Sequence, residues 1–360
     1  MFGRGAFVRY MKIALIADTH FGARNDNTSL QKYFVKFLDN IFFPYLTEHN
    51  IDTVIHLGDL VDKRKNISYL TLNGVRKDFI GRLDWQGIET HFIVGNHDTY
   101  YKNTNQINSI NELFSTDSRI TVYDKATTVE FDGVDICMLP WICQDNVEET
   151  MKHVEETSAQ IAMAHLELTG FTMQKGVVCP HGFNKKDFQK FDVVYSGHFH
   201  YKSDDGHIYY LGNPYEIMWS DYGVQKGFHI FDTETRELEF IENPYKMFHR
   251  IHYDDSDKEL DEILDQDFSI YENAYVKVVV VDKTNPFLFD RYIDALHKVE
   301  PSDISVIEEF DMDSGDDDIE FVEDTLTILD NYLDSKELDV DISKVKTLLR
   351  YVYQEAISIK

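Results

Sequence analysis

Residues 91–98 read His91-Phe92-Ile93-Val94-Gly95-Asn96-His97-Asp98: a short run ending Phe-Ile-Val, then at once a glycine, an amide, an imidazole and a carboxylate. A brief apolar run bounded by turn residues reads as a buried strand. The same grammar recurs on either side. Lys12–Ala17 (KIALIA) ends at Asp18, with His20 beyond it. Thr53–Leu57 (TVIHL) ends at Gly58 and Asp59, with Asp62 beyond. Ile161–Ala164 (IAMA) ends at His165, and Asp192–Tyr195 (DVVY) ends at Ser196, Gly197 and His198, with His200 beyond. Between strands, Leu30–Thr47 and Tyr69–Leu83 carry apolar residues at helical spacing. Alternating strands and helices predict an α/β layered domain, with ligands held beyond the carboxyl ends of the strands. Residues 119–140 read as two strands around the turn Asp132-Gly133, and 207–212 and 227–241 also read as strands. Together these segments predict a second, more antiparallel sheet.

The polar strand ends form one series: Asp18-x-His20, Gly58-Asp59-x-x-Asp62, Gly95-Asn96-His97-Asp98, His165, Gly197-His198-x-His200. Any one of these arises easily by chance; all five at the ends of apolar runs do not. Carboxylate, imidazole and amide oxygen together suit Mn²⁺, Fe²⁺ or Zn²⁺. Two such ions about 3.5–4 Å apart need a bridging group, and Asp59 is the candidate. A pair of this kind activates water and polarises a phosphoryl oxygen. The glycines Gly58, Gly95 and Gly197 are expected to let the backbone turn sharply before each ligand. His97 shares a loop with Asn96 and is placed to protonate a leaving oxygen, held by Asp62 or Asp98. The alternative is that His97 is a further metal ligand.

On these residues the chain resembles the calcineurin-like metallophosphoesterase superfamily, and within it the SbcD/Mre-type DNA repair nucleases, particularly their phage-encoded recombination members. Leu139-Pro140-Trp141, Gly197-His198-Phe199-His200 and Gly212-Asn213-Pro214 add to the likeness, which runs along nearly the whole chain from Met11. The resemblance implies an α/β fold: a four-layer αββα core over residues 11–245 and a small α/β capping domain over 246–310. An acidic linker over 311–318 and a helical segment over 319–360 would follow. It implies two Mn²⁺ ions, with Mg²⁺ as a substitute. Asp18, His20, Asp59 and His200 would hold one, and Asp59, Asn96, His165 and His198 the other, with His97 and Asp62 catalytic. It implies DNA as substrate, with 3′-to-5′ exonuclease action on duplex ends and endonuclease action on single strands. It also implies an SMC-like, SbcC-type coiled-coil ATPase as partner, gripped by the terminal helices, and a homodimer of the nuclease subunit. Archaeal and eukaryotic members carry a histidine three residues after the bridging aspartate; Asp62 stands there here, as in bacterial and phage members. The alternative with the same chemistry is a phosphatase or small-molecule phosphodiesterase of this superfamily. A scaffold without activity is disfavoured, since every ligand type is present.

The rest of the sequence sets bounds. At 360 residues, 43% hydrophobic and 28% charged, the composition is that of a globular chain of roughly two domains. The net charge of −29 concentrates in residues 251–360, which carry −20 of it. That balance argues against a bulk electrostatic DNA binder. It leaves Lys63, Arg64, Lys65, Lys102, Lys185 and Lys186 as candidate phosphate contacts. Ala274–Asp282, Phe287–Val299 and Ser302–Phe310 read as a β-α-β unit, Asp311–Asp318 as a solvated linker, and Ile319–Leu333 and Val340–Ile357 as two helices. The three cysteines cannot build a disulfide framework and read as free thiols of a cytoplasmic protein, in a bacterial host if phage-encoded. Met1–Tyr10 has no apolar core and reads as a short extension rather than a signal peptide, and no membrane span is legible. His56 reads as a buried structural histidine. His91, His207, His229 and His252 have no motif context, and Trp219 and Tyr222 read as core packing.

Overall fold

In a computed structural model of the chain, the described residues are 11–308, except 175 and 257, together with 345, 346, 348 and 349. The extension before Met11, the acidic linker 311–318 and nearly all of the two terminal helices therefore lie outside the described residues.

The strand Lys12–Ile16 shows how the core is built. Each residue after Lys12 is buried, and successive side chains point to opposite faces. Ile13 and Leu15 pack with Ile55, Ile93, Ile136, Met138, Ile161 and Met163, which fill the space between two sheets. Ala14 and Ile16 pack the other way, among Phe34, Phe37, Phe42, Phe79 and Phe92 under the helices. A strand covered on both faces has no polar positions to show, which is why these runs read as continuously apolar.

The first sheet has six strands, in the order 238–242, 227–232, 12–16, 53–56, 89–93, 120–123. Its last four run parallel; 227–232 lies antiparallel to 12–16 and to 238–242. The second sheet also has six strands, in the order 203–204, 208–210, 193–197, 161–165, 134–139, 127–131. The helical run Thr28–Glu48 and the run Tyr69–Trp85 cover the first sheet's outer face. The helix Val147–Glu156 contributes to the apolar layer on the far side of the second, around Ala162, Ala164, Phe188 and Phe191. The layers thus run helix, sheet, sheet, helix, as expected.

Strand allocation differs from the sequence reading. The Asp132-Gly133 hairpin forms, joining Thr127–Phe131 to Val134–Leu139, with both turn residues at positive φ. Ile120–Tyr123, however, joins the first sheet beside 89–93, and 227–242 joins it beside 12–16. The second sheet is mostly parallel, since 134–139, 161–165, 193–197 and 208–210 all run together. Alternating apolar residues mark a strand, but they do not specify its neighbour.

A third sheet takes its strands in the order Phe248–Asp254, Tyr275–Asp282, Asp303–Glu308, with the helix Pro286–Lys298 packed on it through Leu288, Tyr292 and Leu296. No alternating apolar pattern marks the first of these strands in the sequence. It is pinned by the buried Glu216, whose Oε2 accepts from Met247 N at 2.7 Å and Phe248 N at 2.9 Å. The Tyr275 hydroxyl accepts from Asn27 Nδ2 at 2.7 Å, and Tyr33 Oη donates to Glu272 O at 3.1 Å. Trp219 packs on Phe248, so it serves this junction.

Candidate metal centre

All five polar strand ends meet at one edge of the two facing sheets. Asp18 and His20 follow the strand 12–16, Asp59 and Asp62 follow 53–56, and Asn96 and His97 follow 89–93. His165 ends its strand in the second sheet, and His198 and His200 follow 193–197. Asp18, His20, Asp59 and His198 all have positive φ, between 40° and 94°. Non-glycine residues are strained there, and four at one place mark a backbone held for function.

The glycines have two separate reasons. Gly58 sits at φ 94°, so it does supply the turn. Gly95 and Gly197 do not have positive φ; they are small because the neighbouring chain is close. A Cβ on Gly95 would overlap Asp59 N and Oδ1, and one on Gly197 would overlap Leu57 O. The expectation of a sharp turn at all three is corrected to one turn and two close approaches.

Donor atoms fall into two main groups, each within 4.8 Å, with Asp18, His20 and His200 in one and Asp59, His165 and His198 in the other; a further set within the same distance, His20, Asp62 and His97, overlaps the first through His20. Asp59 Oδ2 lies 3.7 Å from His20 Nε2 and 3.4 Å from His165 Nε2, so it sits between the groups. The Asn96 amide is 2.9 Å from both His165 Nε2 and His198 Nδ1. His200 Nε2 faces His20 Nε2 at 3.0 Å. Donors sharing an ion at about 2.1 Å lie about 3 Å apart on adjacent coordination positions, so these spacings fit cation binding.

The surrounding hydrogen bonds fix which atoms face inward. His165 Nδ1 bonds Leu57 O at 2.7 Å, which leaves Nε2 for the centre. His97 Nδ1 bonds the Asp62 backbone carbonyl at 2.6 Å. The orienting group is thus the Asp62 main chain, while its carboxylate lies 3.6 Å from His20 Nδ1. Asp98 does not hold His97. It is fully buried and clasps the two loops: Oδ2 accepts from Asp59 N at 2.8 Å and Gly95 N at 2.9 Å, and Oδ1 from Leu60 N at 2.9 Å.

The electrostatics call for positive charge. Burial, opposed by His165 and reinforced by Asp59, pushes the Asp18 carboxyl up to about 8. Burial and Asp59 raise Asp98 to about 7. Burial works against ionising Asp59, yet His165 and His97 hold it well below its ordinary value. Burial opposes charge on His165 too, but the Asp59 carboxylate lifts it to about 9. His198 and His20 are held neutral, chiefly by burial. The buried carboxylates of Asp18 and Asp59, with the Asn96 amide and the surrounding imidazoles and no thiolate, form a donor set for borderline divalent cations.

Sequence reasoning missed one buried charge. Lys226 Nζ donates to Asp221 Oδ1 at 2.7 Å, to Asn213 Oδ1 at 2.5 Å and to the His200 carbonyl at 2.9 Å. A lysine nine-tenths or more buried must be paired, and here its ion pair braces the backbone of a candidate ligand. No local pattern marks it; Asn213 of the Gly212-Asn213-Pro214 string was the nearest signal. Among the candidate phosphate contacts, Arg64 reaches the centre, with Nη2 3.3 Å from the Asn96 amide, whereas Lys185 is paired with Asp205 at 2.8 Å. His56 is fully buried and bonded to Thr19 Oγ1 at 3.0 Å.

Residues 11–202, more than half of the chain, match the family model for the calcineurin-like phosphoesterases. The chain belongs to the calcineurin-like phosphoesterase family. Exonuclease subunit 1 of Enterobacteria phage T4 is 34% identical over 348 residues, spanning 96% of this chain and 98% of that protein. A solved structure of a novel archaeal phosphodiesterase matches 65% of this phosphoesterase and 100% of its own chain, at 16% identity and a TM-score of 0.32. The family model ends just past His200, so it takes in all seven candidate ligands; Lys226 and the third sheet lie beyond it. Among the described residues of this phosphoesterase, no helix is long and apolar enough to cross a membrane.

Proposed function

We propose that this phosphoesterase is the nuclease subunit of an SMC-like, SbcC-type ATPase–nuclease complex that processes DNA ends. It hydrolyses phosphodiesters as a 3′-to-5′ exonuclease on duplex DNA and an endonuclease on single strands. The observation that carries this reading is the convergence of Asp18, His20, Asp59, Asn96, His165, His198 and His200 on one pocket, in a chain similar end to end to a phage exonuclease subunit. Two Mn²⁺ ions, or Mg²⁺ in their place, would supply Lewis acidity toward the phosphoryl oxygen and an activated water. Asp18, His20, Asp59 and His200 would hold one and Asp59, Asn96, His165 and His198 the other.

The protein's own groups do the remainder. His97 Nδ1–H donates a hydrogen bond to the Asp62 carbonyl at 2.6 Å, so Nε2 is the nitrogen left to face the departing oxygen and pass it a proton. The His97 main-chain N–H bonds Asp59 Oδ1 at 2.7 Å, tying the acid to the bridging carboxylate. Arg64, beside Asn96, faces the backbone phosphate. The third sheet is the capping domain, and the segment 319–360 docks on the ATPase. The nuclease subunits pair as a homodimer in the cytoplasm of the host cell.

The test is cleavage of linear duplex DNA, single-stranded DNA and a generic phosphodiester with Mn²⁺ or Mg²⁺, for the wild type and His97→Ala. Mn²⁺-dependent DNA cleavage, reduced about 10²–10⁴-fold in the variant with metal binding intact, is expected. Turnover of the small ester with DNA untouched, even when the ATPase partner is added, would establish a small-molecule phosphodiesterase instead. Metal lost together with activity would make His97 a ligand.

A further inference from the structure

Away from the main centre, Glu167, Cys179 and His181 bring a carboxylate oxygen, a thiol sulfur and an imidazole nitrogen within 4.8 Å of one another. They sit on the two arms of a loop that folds back on itself. The arms are joined by four main-chain hydrogen bonds: Phe183 N to Glu167 O at 2.9 Å, Thr169 N to Phe183 O at 3.1 Å, Gly170 N to Cys179 O at 2.8 Å and Cys179 N to Phe171 O at 2.8 Å. A Cβ on Gly182, which has φ 102°, would overlap the Glu167 carbonyl, so the arms touch there. The frame is therefore set by backbone pairing before any side chain is considered.

The three donors differ in setting. Cys179 is 1% exposed and packs in the apolar layer with Phe171, Phe188 and Tyr210. His181 is open to solvent, and Glu167 is half-buried. His181 Nε2 is 2.9 Å from Glu167 Oε1, and Cys179 Sγ points at the His181 carbonyl at 3.1 Å.

We propose that Glu167, Cys179 and His181 bind one thiophilic divalent cation of the Zn²⁺ class, clamping the two arms of the loop together. One sulfur, one nitrogen and one oxygen donor, with the fourth side open to water through His181, make a tetrahedral zinc set. A thiolate donor selects against Mg²⁺ and Mn²⁺, which separates this site from the all-nitrogen-and-oxygen main centre. Binding exchanges the Cys179 thiol proton, released to solvent, for a metal–sulfur bond, and the thiolate and carboxylate balance the ion's charge. The loop begins two residues after His165, so the clamp would fix the chain leaving the main centre.

Co²⁺ titration of the full chain tests this, because sulfur-to-cobalt charge transfer absorbs in the near ultraviolet. The main centre has no sulfur donor, so it is silent there. The expected result is a saturable band whose final intensity corresponds to one cobalt–thiolate bond per chain, whatever the silent main centre takes up, and which is absent in Cys179→Ser. In His181→Ala, a change at an exposed side chain that leaves the core untouched, Co²⁺ should bind more than about tenfold more weakly. Both variants should keep Mn²⁺-dependent phosphodiester cleavage. No band in the wild type, an unchanged band in Cys179→Ser, or unchanged affinity in His181→Ala would each overturn the proposal. The residues would then be a hydrogen-bonded Glu–His pair beside a buried thiol.

Discussion

Replacing Lys226 by methionine asks whether the buried ion pair supports the centre. The side chains of Lys226 and Asp221 are only 1% and 8% exposed. Methionine keeps the stem's packing but removes the charge and three hydrogen bonds, at 2.7, 2.5 and 2.9 Å. The Asp221 carboxylate is then buried without its cation. It retains the main-chain donors Ile217 N at 2.8 Å and Met218 N at 3.1 Å, which soften the loss without cancelling it. Breaking a buried pair from one side costs about 3–5 kcal/mol. Lys226→Met should fall in that range by urea denaturation. Lys226→Met combined with Asp221→Asn should recover about 2–3 kcal/mol, since the asparagine oxygen still accepts from Ile217 N and no charge is stranded. The His200 carbonyl also loses its donor, so Mn²⁺ affinity should drop about 10–100-fold in the single variant. A loss of stability below about 1 kcal/mol, or a double variant whose cost is the sum of the two singles, would refute the argument.

Asp98→Ala would strand four buried N–H donors, those of Asp59, Leu60, Gly95 and the more distant Val61, at about 1–3 kcal/mol each. The expected result is a chain near its unfolding threshold at 25 °C in a denaturant series; a loss under about 1 kcal/mol would contradict the clasp. His56, fully buried, is driven by burial to about 3 from an ordinary 6.5. The unfolded state therefore binds the extra proton first, and stability falls as pH drops through 6.5 toward 3. The wild type should lose about 2 kcal/mol more between pH 7 and pH 5 than His56→Asn does, and equal losses would show the ring is not held neutral. Chelating divalent ions leaves the carboxylates of Asp18, Asp59 and Asp98 buried together, so restoring Mn²⁺ at 100 times its Kd should add about 2.7 kcal/mol to stability. An unchanged melting temperature would argue that the pocket does not take the ion.

The candidate ligands and the layered α/β pattern are legible in the order of residues alone. Buried strands of a two-sheet core are apolar on both faces, so each run stops abruptly where the chain leaves the sheet, and the polar residue at that stop is visible without coordinates. Asp18, Asp59, Asn96, His165 and His198 stand out for this reason. Tertiary structure alone decided which strands are neighbours, because the apolar pattern of Ile120–Tyr123 or Gly227–Asp232 is the same whichever sheet accepts it. It also decided the supporting contacts. Asp98 lies next to His97 in sequence, yet it turns inward to the Asp59 loop, while His97 is oriented by a main-chain carbonyl that every residue possesses. Lys226 meets His200 and Asp221 only after the strands assemble, and Glu167 meets Cys179 and His181 only when the loop closes. A strand's end is a local property of the chain; the partner a buried charge finds is a property of how distant segments pack.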